Sequence, residues 1–147
     1  MYKHLFVPVD GSELSFRAMD GSIELARQLG ASITGFVVEP DLDFSLANPN
    51  PAVYAERVRT HEERNEEHAR ALLHRFEERA AAAGVPFTGH FVASGAVDDA
   101  ITGEAEKAGC DMIVMVTHGR GALGEFLFGS HTKHVISRSK LPVLVLH

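Results

Sequence analysis

Five short apolar runs, Leu5–Val9, Ser32–Val38, Phe87–Ala93, Met112–Val116 and Pro142–Leu146, alternate with segments of helical period, and this alternation narrows the fold more than any other feature. Such runs are too short for independent helices, and their β-branched content suits strands. Repeated strand–helix–strand units imply right-handed crossovers and a mostly parallel, doubly wound α/β sheet covered on both faces. Ligands of such sheets sit at the carboxyl ends of the strands, where the winding reverses. Those ends are Asp10, Val37-Val38-Glu39, Ser94-Gly95 and Thr117-His118-Gly119.

The intervening segments carry helix signals. Ser12 is an N-cap candidate, Phe16, Met19, Ile23 and Ala26 form one stripe, and Gly30 is the stop. Pro8 lacks an N–H and must sit where no donor is needed, near the end of its strand. Residues 39–51 hold three prolines, two aspartates and two asparagines, which predicts a long loop suited to a lid or a partner surface. From Ala52 to Ala83 the pattern is helical: Thr60 to His68 is polar on every side, then Leu72, Leu73, Phe76 and Ala80 share a face. Gly84 and Pro86 end that helix. After Ser94-Gly95, Asp98 and Asp99 occupy the first turn of a helix expected to turn Val97, Ile101, Ala105 and Ala108 inward, with Gly109 closing it. The last helix is predicted over Ser130–Ser139.

Chemistry concentrates after Met112–Val116. Gly119, Gly121, Gly124 and Gly129 fall within eleven residues, followed by Ser130 and Thr132 at a helix start. Glycines bring backbone N–H groups close to a guest, and a helix start adds unpaired donors and the positive end of the helix dipole. The pattern describes a phosphate cradle. Gly119-Arg120-Gly121-Ala122-Leu123-Gly124 also matches a dinucleotide fingerprint, but it lies in the fourth strand unit, and the region where an acidic ribose partner belongs reads Ser137 to Val143. Gly124 to Gly129 has P-loop spacing, yet Ser130 and His131 replace the lysine and hydroxyl residue, so it cannot work as one.

Taken with Val7-Pro8-Val9-Asp10-Gly11-Ser12, Asp111 to Met115, Thr117 to Gly121, Gly129-Ser130 and Pro142 to Val145, the chain resembles the universal stress protein family over nearly its whole length. The ATP-binding branch of that family carries the pattern G-x2-G-x9-G-S/T, which the chain resembles in Gly119, Gly129 and Ser130. The resemblance implies a Rossmann-like, adenine nucleotide alpha hydrolase-like fold with five strands in the order 3-2-1-4-5. It implies that Pro8, Asp10, Val37 and Met115 line the adenine and ribose pocket, Val37 through its backbone. Gly119, Gly129, Ser130 and Thr132 would hold the phosphates with Mg²⁺ or Mn²⁺, Asp10 being the metal holder. Val143 to Leu146 would pair across a homodimer axis. The chain departs from the pattern at Val116, which replaces its first glycine and brings methyl groups toward the ribose, and at His131, where an apolar residue is usual.

Length and composition bound the rest. A chain of 147 residues is one domain, residues 1–147, with enough surface to bury for one core. A formal charge of −6 with no basic stripe argues against nucleic acid. No apolar run reaches membrane-span length and no signal peptide is visible, while the single cysteine, Cys110, suits a reducing cytosol. Cys110 has no neighbouring base and reads as an inert small hydrophobe. Met115 on composition alone is a core residue, Asp10 also suits a cap of the first helix although its place at a strand's carboxyl end favours a ligand role, and Ser130 is an N-cap under either reading. His61 with His68, and His131 with His134, have the spacing of paired ligands, but no carboxylate or third ligand is evident beside either pair.

The expected function is cytoplasmic ATP binding by a homodimeric stress-response protein, acting by binding and not by turnover. Phosphoryl transfer would have Asp10 for metal and Arg120 as a cation, but no general base is evident. Slow ATP hydrolysis or self-phosphorylation, a dimeric interaction module without nucleotide, and a dinucleotide-dependent oxidoreductase are the alternatives.

Overall fold

The computed structural model describes residues 1–42, 47–116 and 127–147, with side chains in the last stretch from residue 131 onward. The elements are β1 (His4–Pro8), α1 (Glu13–Leu29), β2 (Ser32–Glu39), α2 (Pro51–Ala82), β3 (Phe87–Ala93), α3 (Val97–Lys107), β4 (Met112–Val116), α4 (Leu127–Arg138) and β5 (Val143–Leu146). All strand pairs are parallel, in the order β3-β2-β1-β4-β5. From β1 the chain winds outward to β3, then crosses back to β4 on the other side of β1. Right-handed crossovers therefore put α1 and α2 on one face and α3 and α4 on the other, and these helices touch in those two pairs.

The core is the middle of the sheet. Leu5, Phe6 and Val7 of β1, Ile33, Phe36 and Val37 of β2, and Ile113 to Val116 of β4 are all buried. Burial on both faces explains why these strands read as continuous apolar runs, each large side chain contributing about 1.5–3 kcal/mol. On the α2 face of β2, Phe76 and Phe87 pack with ring centroids 4.9 Å apart, over Gly35. β3 ends the sheet on one side and β5 on the other, and Val143 to Leu146 remain half-buried.

Pro8 shapes the mouth of the sheet. Val9 N–H donates to Phe36 O at 2.8 Å and Asp111 N–H to His4 O at 2.9 Å, so odd-numbered residues of β1 face β2 and even-numbered ones face β4. The donor that Pro8 lacks is thus on the β4 side. Register between β1 and β4 is held only at Leu5–Met112 and Phe6–Ile113, whereas β1 and β2 pair through to Pro8–Phe36. Without that N–H the β1–β4 ladder stops early, at the point where the winding reverses.

α1 ends at Gly30, left-handed at φ 64°, whose N–H closes on Ala26 O. Leu14, Ala18, Met19, Ile23 and Ala26 are its buried stripe. Phe16, expected in that stripe, is half-buried beneath the guanidinium groups of Arg75 and Arg79. Asn50 caps α2 by accepting the Ala52 N–H, with Pro51 in the first turn, so the predicted 39–51 loop shortens: Glu39 belongs to β2 and Pro51 to α2. Residues 43–46 of that loop lie outside the described residues. The first half of α2 buries nothing before Ala69, as its polar pattern predicts.

Two expectations for the helices are corrected. Ala108 is exposed, because α3 stops at Lys107 and Ala108 leaves the inward stripe as its C-cap. α4 starts at Leu127, which makes Ser130 its fourth residue and not its N-cap. Leu127 and Phe128 extend the helix, and a glycine inside it costs only about 1 kcal/mol. Among the described residues no helix is long and apolar enough to cross a membrane.

Candidate functional site

Chain order reverses at β1 and β4, so the expected site residues gather by topology at one edge of the sheet. Pro8 ends β1, Val37 lies two residues from the end of β2, and Met115 and Val116 end β4. Met115 and Val116 pair in register with Val145 and Leu146, and both are buried, Val116 to 1 % exposure. Gly119 lies outside the described residues. Gly129 and Ser130 are described by backbone alone, in the first turn of α4, and His131 and Thr132 follow them.

The turn after β1 is organised by a buried hydroxyl. Ser15, fully buried, donates to Asp10 Oδ1 at 2.8 Å and accepts from the N–H groups of Asp10 at 2.7 Å and Gly11 at 3.1 Å. Asp10 Oδ1 also accepts the Ser12 N–H at 2.9 Å. Gly11 takes φ 87°, which a Cβ would strain. Ser12 occupies the N-cap position, but its side chain makes no capping bond. The carboxylate is therefore held by one oxygen, and Oδ2 has no hydrogen bond among the described residues. A carboxylate fixed in this way suits the single protein oxygen that Mg²⁺ often takes alongside phosphate and water.

Thr132, one turn into α4, presents a different situation. It is 4 % exposed and its Oγ1 has no hydrogen-bond partner among the described residues. An unpaired buried hydroxyl costs about 1–3 kcal/mol. Its neighbour His131 is engaged elsewhere: His131 Nδ1 donates to Asp98 Oδ1 and His134 Nδ1 to Asp98 Oδ2, the latter at 2.7 Å. Arg138 pairs with Asp99. The first turn of α3 thus clamps one face of α4, and the expectation that no carboxylate stands beside His131 and His134 is corrected. These nitrogens are bonded to the carboxylate, and among the described residues no group of three or more metal-ligating side chains could hold an ion.

The other histidine pair is also partnered. His61 donates through Nε2 and Asn65 through Nδ2 to Pro40 O, each at 3.1 Å. His68 Nδ1 lies 2.6 Å from Glu39 Oε1, and Glu39 is only 5 % exposed. From sequence Glu39 is a strand end with no evident role. A signal existed: Glu39 shares strand parity with Gly35 and Val37, the α2-facing side, so its carboxylate must find a partner on α2.

Cys110 is a buried free thiol. Burial above all, with Asp111 adding to it, pushes the thiol up to about 11 against a hydrogen bond with Thr34.

Known proteins share this sequence pattern and fold. A family model described as "Universal stress protein family" matches residues 1–147. Universal stress protein YxiE of Bacillus subtilis is 28% identical over 148 residues, covering 99% of each chain. Universal stress protein MJ0531 of Methanocaldococcus jannaschii is 30% identical over 146 residues, covering 99% of this chain and 82% of that protein. Among solved structures, the protein MJ0577 superposes with a TM-score of 0.78 at 25% identity, covering 99% and 96% of the two chains. A universal stress protein in complex with cAMP gives 0.72 at 24% identity over 99% and 97%. An Arabidopsis thaliana family member with AMP bound gives 0.70 at 18% identity over 98% and 90%.

Proposed function

We propose that this chain, which belongs to the universal stress protein family, binds an adenine nucleotide at the carboxyl ends of β1, β2 and β4, with ATP and Mg²⁺ or Mn²⁺ as the full ligand. The observation that carries this reading is the orphaned Thr132 hydroxyl, buried one turn into the helix that follows the glycine-rich segment. A phosphate oxygen is the partner such a donor lacks, and helix starts favour anions. Structural neighbours bound to cAMP and to AMP support an adenine nucleotide as the class.

In this reading Val37 offers backbone groups to the adenine edge, and Pro8 and Met115 form apolar walls. Asp10 takes the metal through Oδ2, while Gly119, Gly129, Ser130 and Thr132 donate to phosphate. Val116 narrows the ribose side, and His131 contributes through its backbone because its ring belongs to Asp98. The activity is binding in a cytosolic homodimer. The half-buried apolar edge of β5 supports the dimer, since an unpaired edge strand is a template for a second copy.

Thermal unfolding with Mg-ATP, AMP, NAD or no ligand tests the reading. A nucleotide at a hundredfold excess over its Kd stabilises the native state by about 2.7 kcal/mol. Stabilisation by ATP is expected, and no shift with either adenine nucleotide would refute the proposal. Sedimentation equilibrium tests the dimer, which a monomer at micromolar concentration would overturn.

A further inference from the structure

β3 ends the sheet as an open edge. Ile33 N–H donates to Pro86 O and Ser94 N–H to Glu39 O, so the even-numbered residues of β3 bond to β2. The N–H and C=O groups of Phe87, Gly89, Phe91 and Ala93 therefore point away from the sheet, and among the described residues no strand pairs with them. Natural edges are ordinarily blunted by charge, proline or very short strands. Phe87–Ala93 has 7 residues, none of them charged and none a proline. Beside it lies a groove of about 450 Å³, formed by Phe87, Gly89 and Phe91 with Arg70, Leu73 and Glu77 of α2.

α2 runs antiparallel to this edge. Phe76 packs on Phe87, a Cβ on Gly89 would meet Leu73 Cβ at 3.3 Å, and the Arg70 guanidinium stands 5.9 Å from the Phe91 ring centroid. We propose that the edge pairs with β3 of a second copy, antiparallel about a twofold axis at Gly89. That register sets Phe87 opposite the partner's Phe91, Thr88 opposite the partner's His90, and lets Phe87, Gly89 and Phe91 each exchange both backbone bonds with its counterpart. It also matches charge. Arg70, level with Phe91 and bonded on one side to Glu66, comes level with the partner's Glu77, and Glu77 has no ion pair among the described residues. α2 rests on β2 and β3 together. Its copy across the axis would therefore stand about two strand spacings away, about 10 Å, the distance at which helices pack. A second copy is preferred to a foreign strand because ring pair and charge pair both recur across the axis, as a self-complementary interface requires. β5 lies on the opposite side of the sheet, so pairing through both edges does not close, and assemblies grow with concentration.

Disulfide trapping in a Cys110→Ala background tests the register. Thr88 and the partner's His90 form a non-hydrogen-bonded pair with Cα atoms about 4.5 Å apart, within disulfide reach. Mixed T88C and H90C chains should give a covalent dimer under mild oxidant. The yield should exceed by about tenfold that of either variant alone, whose cysteines fall on a diagonal about 7–8 Å apart. No link in the mixture, or equal linking in the single variants, overturns the proposal, and a dimer of wild-type chains would then belong to another edge. Charge exchange gives a second readout by sedimentation velocity. E77R should raise the concentration at which the β3-linked species forms by about fivefold, and R70E/E77R should restore it to within about twofold of wild type. Both side chains are exposed, so the melting temperatures should be retained. An E77R chain that assembles like wild type, or a double variant that assembles no better than E77R, refutes the contact. A wild-type chain that stays monomeric at every soluble concentration refutes the pairing outright.

Discussion

Phe87 lies directly over Gly35, its Cζ only 2.6 Å from where a Cβ on Gly35 would stand, with Phe76 closing the contact from α2 at 3.0 Å. The glycine in the middle of β2 is thus a docking place for two rings and a joint between the sheet and α2. Gly35→Val should destabilise the fold by about 2 kcal/mol, because the Phe87 ring must be pushed toward its groove and the fully buried Phe76 cannot retreat. Urea denaturation checks this as a lowered midpoint with unchanged slope, and a midpoint within error of wild type would show that the rings move freely.

Ser15 offers a second test, since one buried hydroxyl serves Asp10 and Gly11 together. Ser15→Ala leaves two N–H groups without their acceptor and should cost about 2 kcal/mol. Asp10 would also lose the bond that sets Oδ1, so Mg-ATP affinity should fall alongside stability. Calorimetric titration of the folded variant measures the second effect, and unchanged affinity would mean that Asp10 is positioned by the backbone alone.

Thr132→Val should move two quantities in opposite directions. Removing an orphaned hydroxyl while keeping the shape should raise the stability of the free protein by about 1 kcal/mol. The stabilisation conferred by Mg-ATP should shrink, because a phosphate donor is gone. Melting curves with and without nucleotide report both. A variant less stable without ligand would show that the hydroxyl already has a partner in the free state.

Cys110 predicts an alkaline loss of stability. Its folded thiol is raised to about 11 from an ordinary 9.0, so its contribution is fully present below pH 9 and is lost as pH rises through 11. The unfolded chain gives up the proton first, which favours unfolding, by at most about 3 kcal/mol. Denaturation midpoints between pH 8 and 10.5 should therefore fall more steeply in the wild type than in Cys110→Ala. Thiol reagents should label Cys110 only on the unfolding timescale.

The bounds of β3 and β4 and the direction of every helix were legible because alternation and helical period are local properties of the chain. Gly30 and Gly84 marked helix ends through a backbone conformation that other residues rarely adopt. Ser130 has the chemistry of a cap, which places the start of α4 three residues late. Local preference was overridden there by extension of the helix. Pro8 was foreseen at a strand end, but which neighbour it faces was not, since that needs the register of both ladders.

Amino-acid order by itself determined the parallel sheet and which residues stand at the carboxyl edge of its strands, because both follow from periodicity along a few consecutive residues. Only the tertiary structure decided which groups at that edge are spoken for. Glu39 meets His68 across 29 positions and Asp98 meets His131 across 33, and Thr132 is left buried without a partner among the described residues. Such pairings depend on how helices on opposite faces are rotated against the sheet, a consequence of packing the whole core that no short stretch of sequence encodes.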